Sequence, residues 1–332
     1  MSKRGVILFL SLGLLWGIPY LLIKVSVEFL SPEVIIFLRV FLAAIILMPV
    51  VVKRGYLRLL EGHWKWVFVF AIIEIAFPFG ALTFAEIKLS SSTAGLLIAA
   101  VPIVSAIFAW RLGIDDRVTG MRVLGLAIGI IGVASLVGLD VTGTELFSVA
   151  LLGITVVGYA LGPIIVSQKL SQAPALAVIA MAMVINSVIY APLAFISRPT
   201  ESVPMNVWLS VAILGAVCTA LTFILFFSLV AEVGPARTTV ITYINPAVAV
   251  ILGVLVLSEP ITLGLIVGFP LILLGSFLAT RKGPAFESEP MAEVNNLESG
   301  ARFPAEFYLR THSREFLGGS QELVRSETAG RK

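Results

Sequence analysis

The chain has 332 residues, of which 58% are hydrophobic and only 13% charged, and its formal net charge at neutral pH is +3. A soluble domain carries about 25% charged residues, so the apolar surplus has to face lipid and an ordinary water-soluble fold is excluded. The small basic balance reads as loop charge in a membrane protein, with no nucleic-acid partner, and a single cysteine, Cys218 in an apolar setting, leaves a packed thiol and no internal disulfide.

The first apolar run follows Lys3 and Arg4 and opens at Val6. It imitates a signal peptide, but it is long enough to span, holds Trp16-Gly17-Ile18-Pro19-Tyr20, and lacks a small-x-small cleavage site. At roughly 20 residues per crossing, ten spans are expected. They are 6–27, 33–52, 65–85, 92–112, 120–139, 147–168, 174–197, 206–230, 236–257 and 261–280. The fourth and fifth form a hairpin with a short connection, and so do the ninth and tenth.

The two hairpins match. Placing Pro102 on Pro246 also places Asp115 on Glu259; with one residue dropped in the loop, Gly125 falls on Gly268 and Gly132 on Gly275. Matched prolines, acids and glycines carry this reading, because shared apolar residues arise by chance. Five spans per half is an odd number, which forces the halves into opposite orientations. The fold expected is therefore an all-α integral membrane protein, ten transmembrane helices as two inverted five-helix repeats. The first repeat takes 1–142 and the second 143–282.

Orientation follows from the loop cations. With the N-terminus cytoplasmic, the inner side holds Lys3, Arg4, Lys53, Arg54, Arg58, Lys65, Arg111, Arg117, Arg122, Lys169, Arg237, Arg281 and Lys282. The outer side holds only Lys88, Arg198 and, near a helix end, Lys24. Both termini are then expected inside, in an inner (plasma) membrane. Residues 283–332 carry interspersed Glu and Arg with Gly and Ser and no sustained apolar period, which reads as a disordered cytoplasmic tail.

Two charges lie inside spans, Arg39 and Glu74. A charge at the centre of a membrane helix costs about 2.5 to 3.5 kcal/mol on insertion scales, so each needs a partner or a wet cavity. At 1.5 Å per residue, Arg39 lies roughly 10 Å below the outer surface and Glu74 roughly 13 Å in from the inner one. Two readings stay open: a central site in which Arg39 holds a substrate anion and Glu74 carries a proton, or a structural Arg39–Glu74 pair. Trp16, Tyr20, Tyr159 and Tyr243 are span aromatics beside Gly or Pro, able to stack on a substrate or simply to pack. Trp16 and Tyr159 correspond in the two halves. Pro102 and Pro246 sit at matching mid-helix positions, candidates for bends around the site, with Asn245 as a ligand-binding neighbour. The Gly125-x-x-x-Gly129 and Gly264-x-x-x-Gly268 pairs allow close helix approach, within the chain or at a protomer contact. Asp115, Asp116 and Glu259, at hairpin tips, are expected to cap helix ends or meet loop cations.

Trp16-Gly17 with Lys24, Pro32 with Arg39, Ala94 to Pro102, Pro235-Ala236-Arg237, Tyr243 to Pro246 and Ser258-Glu259-Pro260 together resemble the EamA-type ten-helix branch of the drug/metabolite transporter superfamily. The resemblance covers about residues 6 to 280. The first hairpin departs from the family's Gly-Glu-type turn, reading Gly113-Ile114-Asp115-Asp116. The resemblance implies a carrier of small metabolites, often an exporter, working by alternating access. No zinc-protease, serine-hydrolase or P-loop signature is present, and His63 and His312 fall outside the spans. A membrane-embedded enzyme is thus poorly supported, and a channel would need a repeated ring of filter residues. The expectation is a secondary transporter, not an enzyme, with no cofactor. It moves an amino acid or related metabolite, with protons as the candidate coupling ion. A lipid-like or drug-like substrate on the same fold is the alternative.

Overall fold

The computed structural model describes residues 2–113, 120–141, 143–233 and 238–280, and these residues form helices and connecting turns with no strand among them. We number the spanning segments α1 (Lys3–Ser26), α2 (Pro32–Lys53), α3 (Trp64–Ala85), α4 (Ser91–Arg111), α5 (Gly120–Asp140), α6 (Leu146–Lys169), α7 (Ala175–Ile196), α8 (Met205–Val233), α9 (Ile241–Val256) and α10 (Leu263–Thr280). Each coincides within a few residues with an expected span. All but α9 have at least 18 residues, enough for a bilayer crossing; α9 is entered through a 3₁₀ turn, Thr239–Tyr243. Asp115, Asp116 and the segment 283–332 lie outside the described residues.

Local chemistry sets the helix starts. Ser2 and Ser90 cap α1 and α4 by accepting from the Gly5 and Thr93 amides at 3.0 and 3.1 Å. Pro32 opens α2, where its missing N–H costs nothing, and Pro174 and Pro204 directly precede α7 and α8. Large apolar side chains such as Ile130, Ile131, Val188, Leu255 and Ile266 are exposed on the bundle surface, the arrangement lipid rather than water favours.

The two repeats embrace each other by the same rule. The first helix of each packs on the third and fourth helices of the other: α1 against α8 and α9, and α6 against α3 and α4. The second helices pair, α2 with α7, and so do the fifth, α5 with α10. Glycine makes the closest of these contacts. A Cβ added to Gly125, Gly132 or Gly275 would run into the backbone of the facing helix, Ala279 N, Ile272 N and Gly129 N respectively. The Gly-x-x-x-Gly faces are thus consumed within one chain by the α5–α10 contact. Gly13 and Gly17 do the same for α1 beneath Ile244 and Val248 of α9.

The matched prolines mark matched breaks. α4 is interrupted at Ala99–Ala100 just before Pro102, and α9 changes from 3₁₀ to α geometry at Ile244, just before Pro246. Ser276 of α10 donates to the Ala99 carbonyl at 2.7 Å, satisfying an acceptor at the first break.

Candidate functional site

α3 and α8, the third helices of their repeats, each contain a six-residue π-helical segment, Ala71–Ala76 and Ala216–Leu221. A π turn inserts one residue, displaces the side chains around it and leaves carbonyls that need other donors. Here side chains supply them. Asn186 Nδ2 donates to Ala71 O at 2.9 Å and Tyr190 to Ala76 O at 2.8 Å. In α8, Thr219 donates to Leu214 O at 2.8 Å, and Thr222 to Cys218 O at 2.8 Å and Thr219 O at 2.9 Å. The fourth residue of one segment is Glu74; the fourth of the other is Thr219.

Arg39 of α2 is pinned by both third helices. Its Nε donates to Thr219 Oγ1 at 2.9 Å, and its guanidinium lies 3.7 Å from the centre of the Phe79 ring of α3. The side chain is 7% exposed, and its buried Nη1 has no hydrogen-bond partner among the described residues. Tyr20 of α1, Tyr159 of α6, Cys218 of α8 and Glu86 all lie within electrostatic reach of the guanidinium. One bonded edge, one stacked face and an unpartnered Nη1 make a group suited to a carboxylate or similar anion.

Glu74 does not pair with Arg39. Its Oε2 is buried without a hydrogen-bond partner among the described residues and is seated against Gly162 of α6, where an added Cβ would also meet Glu74 Cδ at 2.5 Å and Cγ at 3.0 Å. A side chain there would force the Glu74 carboxyl to move. Tyr159, one turn earlier on α6, is within electrostatic reach of both Arg39 and Glu74. The depth argument placed Arg39 and Glu74 near one level, but the π segment re-aims Glu74 toward α6.

The remaining sequence candidates divide. Tyr20 is 7% exposed and joins the Arg39 cluster. Trp16 packs on Phe226 and Phe223 of α8, with ring centres 5.2 and 6.4 Å away, in a small apolar cluster with Leu12, Leu229 and Ile241. The Tyr243 hydroxyl is engaged by α10, with Ser276 O at 3.2 Å and Thr280 Oγ1 at 2.6 Å. With its amide turned to donate, Asn245 reaches the Gly13 and Ile241 carbonyls, both at 3.1 Å. These three side chains join helices around the cluster, whereas Arg39, Tyr20, Tyr159 and Glu74 converge on it.

Sequence reasoning passed over Phe79, Thr219, Gly162 and Glu86. The first three are ordinary residues until packing gives them a neighbour. Glu86 carried a signal, an acid directly at the end of an apolar span, but it reads as a solvated loop residue until its burial is known.

Two inverted helical repeats interlocked around a buried charge cluster are the architecture of a membrane carrier. The EamA-like transporter family matches residues 3–138 and again 146–281, one match per repeat. The chain belongs to the EamA-like transporter family, and it is a membrane transporter. Among similar proteins, an uncharacterized transporter of Archaeoglobus fulgidus is 28% identical over 84% of this chain and 99% of that protein. Uncharacterized transporter YvbV of Bacillus subtilis is 26% identical, over 86% and 94%. The uncharacterized inner membrane transporter YedA of Escherichia coli is 26% identical, over 82% and 91%. A solved crystal structure shares the fold with a TM-score of 0.63 at 19% identity, over 85% of this chain and 98% of that one.

Proposed function

We propose that the protein is a secondary transporter that moves an amino acid or related small metabolite outward by alternating access, driven by protons. The observation that carries this reading is Arg39: a buried guanidinium held by Thr219 and Phe79, with Nη1 unpartnered among the described residues, where helices of both repeats meet. A charge inside a membrane protein is expensive and marks function unless a structural partner consumes it. In this reading Arg39 takes the substrate anion, Tyr20 and Tyr159 line the pocket, and Glu74 binds and releases the coupling proton. Trp16, Tyr243 and Asn245 act through helix placement around that pocket.

The orientation follows from the cations. Among the described residues, Lys53, Arg54, Lys65, Arg111 and Lys169 lie at one set of helix ends and only Lys24, Lys88 and Arg198 at the other, which supports a cytoplasmic first set in a bacterial inner membrane. The sequence has no nucleotide-binding segment, leaving ion or solute gradients as the energy source. Rocking of the repeats would expose the Arg39 cluster to each side in turn.

The test is uptake into proteoliposomes of a pool of labelled amino acids and small metabolites, with and without an imposed pH gradient. Wild type is expected to accumulate substrate only with the gradient. Glu74→Gln, which keeps the shape and removes the titration, is expected to bind substrate and equilibrate it without responding to the gradient. Gradient-driven accumulation by Glu74→Gln would remove Glu74 from the coupling role.

A further inference from the structure

The bundle end that carries the α9–α10 hairpin holds a second buried acid. Glu86, the first residue past α3, is 0% exposed, and neither of its carboxylate oxygens has a hydrogen-bond partner among the described residues. Lys24 Nζ donates to the main-chain carbonyls of Glu86 and Leu89 at 2.8 and 2.9 Å. The groups facing Glu86 are Lys24 and Tyr20 of α1, Arg39 of α2, Tyr159 of α6 and Glu259 of the hairpin. Burial holds the Glu86 carboxyl well above the usual carboxylate range; Lys24 and Arg39 pull it down, while Glu259 pushes it further up.

Glu259 ties the repeats together at this end. Its carboxylate accepts from the Ser91 amide and hydroxyl at 2.7 and 2.9 Å, and from the Ser92 amide and hydroxyl at 3.0 and 2.5 Å. The α9–α10 turn of the second repeat thereby caps the start of α4 in the first, where the helix dipole also favours a negative charge. The turn itself is held by the Glu259 amide on Gly253 O at 3.1 Å, with Ser258 at φ +55°. Opening the bundle at this end has to break that cap.

We propose that Glu86 is a second proton-binding residue of the transport cycle, whose neutral form lets the Glu259 hairpin stay docked on α4 and whose ionised form drives it off, opening the outer mouth. The proposal rests on the alternating-access reading and on this end facing outward, and is independent of Glu74. The physical reason is burial first: a carboxylate without donors among the described residues resists ionising in a dry site, and the Glu259 carboxylate, satisfied by four donors, adds like-charge repulsion to that cost while Lys24 and Arg39 offset part of it. The sign follows. The closed state binds the Glu86 proton more tightly than an open, wetted one. Closure is therefore favoured at low external pH and is progressively lost as pH rises above the ordinary carboxylate value toward the raised one.

Cys218 is the sole cysteine of the chain, 1% exposed and within electrostatic reach of Arg39, so an impermeant thiol reagent added outside reads the opening without any substrate. The measured quantity is the labelling rate of wild type divided by that of Glu86→Gln at each external pH, which cancels the ionisation of the thiol itself. The ratio is expected to rise from near one at pH 5 to roughly tenfold or more at pH 8, since one linked proton allows up to a tenfold change per pH unit. Glu259→Gln, which weakens the cap and removes the repulsion, is expected to label faster than wild type at pH 5 and to be unaffected by adding Glu86→Gln. A ratio that stays flat with pH, absence of labelling included, overturns the proposal. So does Glu259→Gln labelling no faster than wild type. Both variants are checked for a monodisperse elution profile, and the second reads the latch even if the first fails to fold. Because no transport is measured, failure here leaves the Glu74 assay standing, and the converse holds.

Discussion

Replacing Arg39 by Met is expected to lower transport by about 100-fold, the loss of about 2.7 kcal/mol of charged contact, while the folded protein becomes no less stable. The two halves of that result have separate causes. Transport falls because a buried guanidinium nitrogen, unpartnered among the described residues, disappears from the repeat interface. Stability holds because a buried cation that gives one hydrogen bond to Thr219 and stacks on Phe79 is replaced by an apolar chain that fills similar space without desolvation cost. A structural Arg would behave the other way, since breaking a buried ion pair costs about 3 to 5 kcal/mol. Thermal unfolding in detergent beside proteoliposome transport separates the two. Lowered melting with proportionate loss of transport would make Arg39 a structural residue. Arg39→Lys is expected to recover little, because a single ammonium cannot reach Thr219, cover the ring and still present a directed donor.

Replacing Gly275 by Val is expected to destabilise the protein by about 3 kcal/mol without changing its oligomeric state. Gly275 faces Gly129 N and Cα on α5, and an added Cβ would also approach Gly125 O at 2.8 Å. Backbone atoms cannot swing aside as a side-chain tip can, so the strain has to separate α5 from α10 along much of their length. Each of these helices is the fifth of its repeat, so the damage falls on a contact both halves need. The measurement pairs thermal unfolding with size-exclusion chromatography. An unchanged melting temperature together with a smaller particle would relocate the glycine face to a contact between copies of the chain.

Much of this arrangement was legible in the residues. Long apolar runs have to cross the bilayer because buried main-chain groups must be satisfied within a helix, and hydropathy alone therefore found the ten spans. The inverted repeat was legible because proline and glycine constrain backbone geometry directly. Pro102 and Pro246 now stand just past matching helix breaks, and Gly125, Gly132, Gly268 and Gly275 line a single close contact. The hairpin acid Glu259 was legible as a capping residue. That it caps α4 of the opposite repeat, rather than a helix of its own hairpin, was not.

The site was legible only in part, because depth along a helix is a one-dimensional quantity and direction around it is not. Arg39 and Glu74 were placed near the same level, and a pair was one natural reading. The π segment Ala71–Ala76 turns Glu74 onto Gly162 while its counterpart Ala216–Leu221 brings Thr219 to Arg39. Nothing in AIIEIA or AVCTAL announces an inserted residue: a π turn forms where neighbouring helices offer donors for the carbonyls it releases, here Asn186 and Tyr190 of α7 for the first segment. Glu86 is the same lesson at a helix end, a loop acid by sequence and a buried one by packing. Composition and chain-local geometry thus determined the membrane spans, their repeat and the presence of two costly charges. Which donors those charges meet, and which acids lie buried without any, depended on helices distant in sequence and was decided only when the two repeats closed on each other.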